Sequence, residues 1–184
     1  SDVASTALIK INNDSVPYVI WAEMVDPRGE ETDLYVYNFA TGISEVISLS
    51  TESQGYVGRR FTALFDSEGY LYVAFVEPSV IVGENEDMFL YSGKDGLTRR
   101  ISNHSITEGY IGDYNKGIQI KFNDNGFPVV FFIELSSSSE NKEYASLFTE
   151  GEIVFKDKYS FIFANITFLS LNFSQINSEN ACDT

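Results

Sequence analysis

Three segments of the chain can be laid on one another without a gap. Ile11–Glu23 reads INNDSVPYVIWAE, Phe65–Glu77 reads FDSEGYLYVAFVE and Phe122–Glu134 reads FNDNGFPVVFFIE. Each passes from an apolar residue through a polar Asn/Asp-rich turn into an aromatic-rich run closed by Glu. The correspondence continues downstream. Asp33–Tyr37 matches Asp87–Tyr91, with a fainter echo at Tyr144–Phe148; Gly42, Gly96 and Gly151 follow. Then come Ser44–Ser48, Thr98–Ser102 and Ile153–Lys156, and Gly55–Gly58 matches Gly109–Gly112. The offset is 54 residues from Ile11 to Phe65 and 57 from Phe65 to Phe122. An ordered series of this kind constrains the fold more than any single motif, because a repeated unit buries its apolar faces against its neighbours.

Each unit predicts four short strands, A to D. In the second unit these are Arg60–Phe65, Tyr70–Glu77, Asp87–Tyr91 and Leu97–Ser102. The A–B link is a tight turn, with Gly69 and Gly126 where a positive φ is needed. In strand B, Val73 and Phe75 alternate with Tyr72, Ala74 and Val76, so both faces are apolar. A sheet covered on both sides requires that pattern. Trp21, Phe75 and Phe132 fall at one position of the repeat and are expected in the core between units. Fifteen Phe and eleven Tyr, with many Val and Ile, agree with strands rather than helices. The expectation is an all-β chain of three tandem four-stranded antiparallel sheets forming one repeat domain over 1–184. Its units are roughly 7–54, 55–112 and 113–158, with a further apolar strand and polar tail over 159–184.

Four antiparallel strands in a unit of this length are the signature of a β-propeller blade. The D/N-x-x-G-x-P-x-V-x-aromatic-x-E pattern over residues 7–156 resembles the repeats of sialidase-like and related secreted bacterial propellers. The resemblance is to an architecture, and the sialidase Asp box, Ser-x-Asp-x-Gly-x-x-Trp, is absent from every repeat. It implies a partial propeller, or one completed by self-association or by a longer chain, in an extracytoplasmic or secreted setting. Three blades leave two apolar sheet faces unpaired, and patches of that size are rare on soluble monomers. Self-association is expected, with Phe163, Phe168, Leu171 and Phe173 near the contact. The alternative is that the C-terminal segment folds back over the open face.

The formal net charge of −15 argues against a nucleic-acid partner, since phosphate binding needs a basic face. No run of about 18 apolar residues predicts a membrane-spanning helix. The single cysteine, Cys182, excludes an intrachain disulfide and a Cys-based zinc site. His104 is the only histidine, and no Gly-x-Ser-x-Gly elbow, phosphate-cradling loop or dinucleotide fingerprint accompanies it. Sequons at Asn13, Asn103, Asn165 and Asn172 say little about glycosylation, since composition alone supplies about two.

Carboxylates are the remaining chemistry. In propellers the B–C and D–A loops share one face, which here receives Glu23, Glu77 and Glu134 from the ends of strand B. The D–A loops add Tyr56, Arg59, Arg60 and Tyr110 to this candidate binding face. Asp33, Glu84 and Asp87 are calcium candidates, calcium preferring oxygen ligands, although no Asp-x-Asp-x-Asp spacing is present; no other cofactor is implied. Repeated Glu at a strand end also has a structural reading, bonding a neighbouring loop. The leading expectation is a non-catalytic binding or scaffold module with a protein or glycan ligand. The alternatives are a self-assembling structural subunit and a sialidase-like hydrolase using acids with Arg28, Arg59 or Arg60.

Overall fold

The computed structural model describes residues 7–25, 32–49, 60–78, 86–102, 118–135, 143–149 and 152–159. Its hairpins begin at three turns of one design. The side-chain Oδ1 of Asn12 accepts from the backbone N–H of Asp14 and Val16, at 3.0 and 2.9 Å. Asp66 does the same for Glu68 and Tyr70, and Asn123 for Asn125 and Phe127. The short polar side chain thus occupies two donors that the reversing chain would leave unpaired. At the fourth position φ is positive: +64° at Ser15, +87° at Gly69 and +81° at Gly126. Only the first unit places a residue with a Cβ there.

Twelve strands follow among the described residues. The first sheet contains β1 (Ala7–Ile11), β2 (Pro17–Met24), β3 (Thr32–Asn38) and β4 (Ile43–Val46). The second contains β5 (Phe61–Phe65), β6 (Leu71–Pro78), β7 (Glu86–Ser92) and β8 (Leu97–Arg100). The third contains β9 (Gln119–Phe122), β10 (Pro128–Leu135), β11 (Glu143–Thr149) and β12 (Glu152–Tyr159). Each sheet is an antiparallel meander in which consecutive strands are neighbours. All regular structure among the described residues is strand. Registers coincide at the repeat offset. Trp21 lies between Ala7 and Tyr35, as Phe75 lies between Phe61 and Phe89. Their rings stack alike, Trp21 on Tyr35 at 5.3 Å and Phe75 on Phe89 at 5.9 Å.

Period-two alternation then divides each sheet into two faces. Ile20, Leu34, Val36 and Ile47 of the first sheet form one core with Ala63, Leu71, Val73, Phe75, Phe89 and Tyr91 of the second. The other face of the second sheet, with Tyr72, Ala74, Val76, Met88 and Leu90, packs on Ile120, Val130, Phe132 and Phe148 of the third. The aromatic corners match as well: Tyr18 meets Phe65 edge-on at 5.0 Å, and Tyr72 meets Phe122 at 5.2 Å. Phe75 and Phe132 are 0 and 1% exposed. Trp21 departs from its expected burial. It sits on the far face of the first sheet, where no described strand covers it, and is half-buried.

Buried polar groups hold the strand ends. Ser48 Oγ donates to Asp33 Oδ1 at 3.0 Å and accepts from the Leu34 N–H at 3.1 Å. Ser102 makes the same clasp with Asp87 at 2.6 Å and the Met88 N–H at 3.2 Å. Arg100 adds a guanidinium 3.5 Å from Asp87. Burying a carboxylate is costly unless such bonds replace its water. Between sheets, Glu77 Oε1 accepts from the Leu49 N–H at 2.8 Å.

The shared turn makes a test. A side chain at positive φ costs about 1–2 kcal/mol, so Gly69→Ala should lower unfolding free energy by that amount. Ser15→Gly relieves the same strain and should raise it by up to about 1 kcal/mol, the gain being reduced by the entropy of glycine in the unfolded chain. Denaturant titration of the two variants checks the opposite signs.

Candidate functional site

The residues singled out in the sequence that the structure describes stand in different surroundings. Glu77 is buried and bonded to the neighbouring sheet's main chain. Glu23 is exposed at the end of β2 and accepts from Trp21 Nε1 at 3.1 Å. Glu134 lies on β10 opposite Tyr144. Arg60 forms an ion pair with Glu86. Tyr56, Arg59, Tyr110 and Glu84 lie outside the described residues, as do His104, Cys182 and the C-terminal Phe163, Phe168, Leu171 and Phe173. Of the calcium candidates, Asp33 and Asp87 are engaged in the serine clasps. No group of three or more acidic, His or Cys side chains close enough to hold a metal ion occurs among the described residues.

A cleft does occur, at the opposite end of the sheets. It opens where the first and second sheets diverge, beside the A–B and C–D turns, and has a volume of about 230 Å³. From the first sheet it takes Tyr18 at the start of β2, Asn38 at the end of β3, and Thr41, Ile43 and Glu45 around the β3–β4 turn. From the second it takes Gly69, Tyr70 and Leu71 leading into β6, then Tyr91 and Gly93 at the end of β7. The placement follows from the strand registers. Asn38 and Ile43 pair with each other across the β3–β4 ladder, and Asn38 also pairs with Tyr18 across β2–β3. Cross-strand partners share a face, so all three point toward the second sheet.

Val36 completes the lining from the first sheet, and part of the lining from the second is main chain. Gly93 donates its N–H to the Leu71 carbonyl at 2.7 Å. A Cβ on Gly93 would stand 2.8 Å from that oxygen, so glycine is required by close approach rather than by its dihedral angles.

The walls are polar and aromatic. Tyr91 donates its hydroxyl to Glu45 Oε1 at 2.6 Å, a charge-assisted bond joining the two sheets. Tyr18 accepts from Asn38 Nδ2 at 2.9 Å and keeps its own hydrogen to donate. Burial, followed by the bond to Glu45 and its negative charge, pushes the Tyr91 phenol above its ordinary range. Tyr18 is raised as well, by burial first and then by Glu45 and Asp14. Both phenols therefore remain protonated donors at neutral pH. Tyr70 is exposed on the rim, with the Lys94 ammonium 5.7 Å from its ring centre. An aromatic surface, amide and carboxylate acceptors and phenolic donors within one small cleft suit a neutral polyhydroxylated ligand. Its C–H face can lie on a ring while its hydroxyls bond to the walls.

No family model matches the chain, and no curated protein matches it. A fucose lectin from Kordia zhangzhouensis, solved in complex with methyl-fucoside, superposes with a TM-score of 0.56. The superposition covers 85% of this chain and 99% of that one, at 8% sequence identity. The likeness is one of fold.

Several cleft residues carried a signal in the sequence. Tyr91 belongs to the repeated strand C, and Glu45 is a charged residue within strand D, at a position where Arg99 stands 54 residues later. Alternation assigns such residues to a face but not to an interface with a particular neighbour, so the pair became visible only once the two sheets were packed.

The Tyr91 phenol gives a pH test. Its value in the folded chain lies above the unfolded value of about 10. The proton is therefore held more tightly when folded, and this contribution is complete below about pH 10 and lost as pH rises through the folded value. Stability measured by denaturant between neutral and alkaline pH should fall less steeply above about pH 10 in Tyr91→Phe than in the parent. Equal slopes would assign the alkaline loss to other groups.

Proposed function

We propose that the chain is a non-catalytic carbohydrate-binding module of the β-propeller type, each four-stranded sheet serving as a blade and units 7–54, 55–112 and 113–158 forming one domain. The cleft between the first two sheets is proposed to take a single sugar residue. The observation that carries this reading is the joining of Tyr18, Asn38, Glu45, Tyr70 and Tyr91 around one small opening. The fold likeness to a fucose lectin supports it and names the first sugar to try. The volume suits one sugar ring better than an extended chain. A hydrolase of the two-carboxylate kind needs a second acid roughly 5–9.5 Å from the first, and among the described residues Glu45 is the only carboxylate lining the cleft. A binding role therefore fits these residues better than hydrolysis.

Titration calorimetry with methyl-fucoside and a panel of other methyl glycosides tests the proposal. Tyr70→Ala and Glu45→Gln should each weaken binding by about tenfold, the loss of one stacking or charge-assisted contact worth about 1.4 kcal/mol. Tyr70 and Glu45 are both solvent-accessible, so the variants should fold normally. Undiminished binding in both variants would move the site to the opposite end of the sheets, to the face carrying Glu23, Glu77, Glu134, Tyr56, Arg59, Arg60 and Tyr110. Absence of binding to every glycoside would overturn the carbohydrate reading.

A further inference from the structure

Each of the first two sheets turns one face toward the unit that follows it in the chain. In the first sheet that face carries Tyr18, Ile20 and Ala22, which pack on the second sheet. Fifty-four residues later it carries Tyr72, Ala74 and Val76, which pack on the third. A further 57 residues on, the same positions are Val129, Phe131 and Ile133 of β10. Val130 and Phe132, which alternate with them, face the second sheet, so these three point away from it. Among the described residues no strand lies on that side. Val129 and Ile133 are nevertheless only 2 and 5% exposed, and Phe131 is half-buried. The other end of the stack differs: on the far face of the first sheet Ile9 is 66% exposed and Val46 47%. One end face is covered and the other is open.

We propose that residues 160–173, which follow β12 directly, cover this outer face of the third sheet. In the two earlier units the cover is what comes next in the chain. Here that is an apolar run containing Phe163, Ile166, Phe168, Leu169, Leu171 and Phe173. No charged residue occurs from 159 to 178, in a chain that is 21% charged. Such a stretch can be buried without stripping water from an ion. The length is sufficient. Val129 and Ile133 are about 13 Å apart along β10, and the 14 residues of 160–173 span up to about 45 Å when extended. The link between β10 and β11 is tethered beside Leu135 and Glu143, at one end of the sheet, whereas Val129 lies toward the other end, next to Pro128. This cover is independent of the sugar-binding proposal, since the cleft lies between the first two sheets.

Hydroxyl-radical labelling of the full chain with peptide mapping tests the proposal. In the parent, Ile9 and Ile11 should label heavily, whereas Val129, Phe131 and Ile133 should label weakly at every protein concentration. Phe163→Asp, Phe168→Asp and Leu171→Asp, combined in the full chain, should raise labelling of those three residues severalfold and leave Ile9 and Ile11 unchanged. Phe75, 0% exposed between the first two sheets, should stay unlabelled and so report that the fold is intact. Should Phe75 become reactive in that variant, Phe168→Ala and Leu171→Ala remove less and should show the same rise on a folded chain. Protection of Val129 and Ile133 that survives these substitutions with Phe75 unlabelled would overturn the proposal. So would heavy labelling of the three residues in the parent. Protection lost on dilution of the parent would also overturn it, and would assign the cover to a second copy.

Discussion

The fold depends on a middle sheet with no wet face. Once the second sheet is apolar on both sides, a neighbour is required on each, and the chain supplies one before it and one after it. Much else follows from that constraint. Strands must end in turns that satisfy their own backbone groups, hence Asn12, Asp66 and Asn123 at identical places. Polar side chains caught at the margins of the cores must be paired within the protein, hence the serine clasps on Asp33 and Asp87. Glu77 shows the same constraint acting between sheets, its carboxylate being occupied by a main-chain donor from the preceding unit.

The strand pattern was legible in the sequence because its causes are local. Alternation in Leu71–Pro78, the Asx residue at each A–B turn and the positive-φ glycines at Gly69 and Gly126 each depend on a few consecutive residues. Strand ends moved by a residue or two, as at β6, expected from Tyr70 and observed from Leu71. Trp21 shows where local reasoning stops. Its position in the repeat is that of Phe75, yet its burial depends on whether another sheet lies beyond it, and the repeat pattern applies equally to interior and terminal units.

The cleft was harder to read for a related reason. Its lining comes from segments as far apart as Tyr18 and Gly93, and no single stretch contains the constellation. The repeated glutamates drew attention to the other end of the sheets, since repetition is easily seen in a sequence. Part of what makes the corner chemically distinct lies where the repeat breaks. Glu45 shows this, standing where the next unit has Arg99, whereas Tyr91 repeats Tyr37 of the first unit. Repetition fixed the scaffold, and departures from it supplied individuality.

The close approach of Gly93 to Leu71 has a consequence for how the cleft can vary. A side chain at Gly93 would collide with the Leu71 backbone, so that part of the lining is set by strand geometry. Thr41, Ile43, Glu45 and Tyr70 form the rim and walls, and Ile43, Glu45 and Tyr70 are exposed. Under the sugar-binding role proposed for this cleft, substitutions on the walls would retune what the opening accepts while the cores on either side of the second sheet stay as they are.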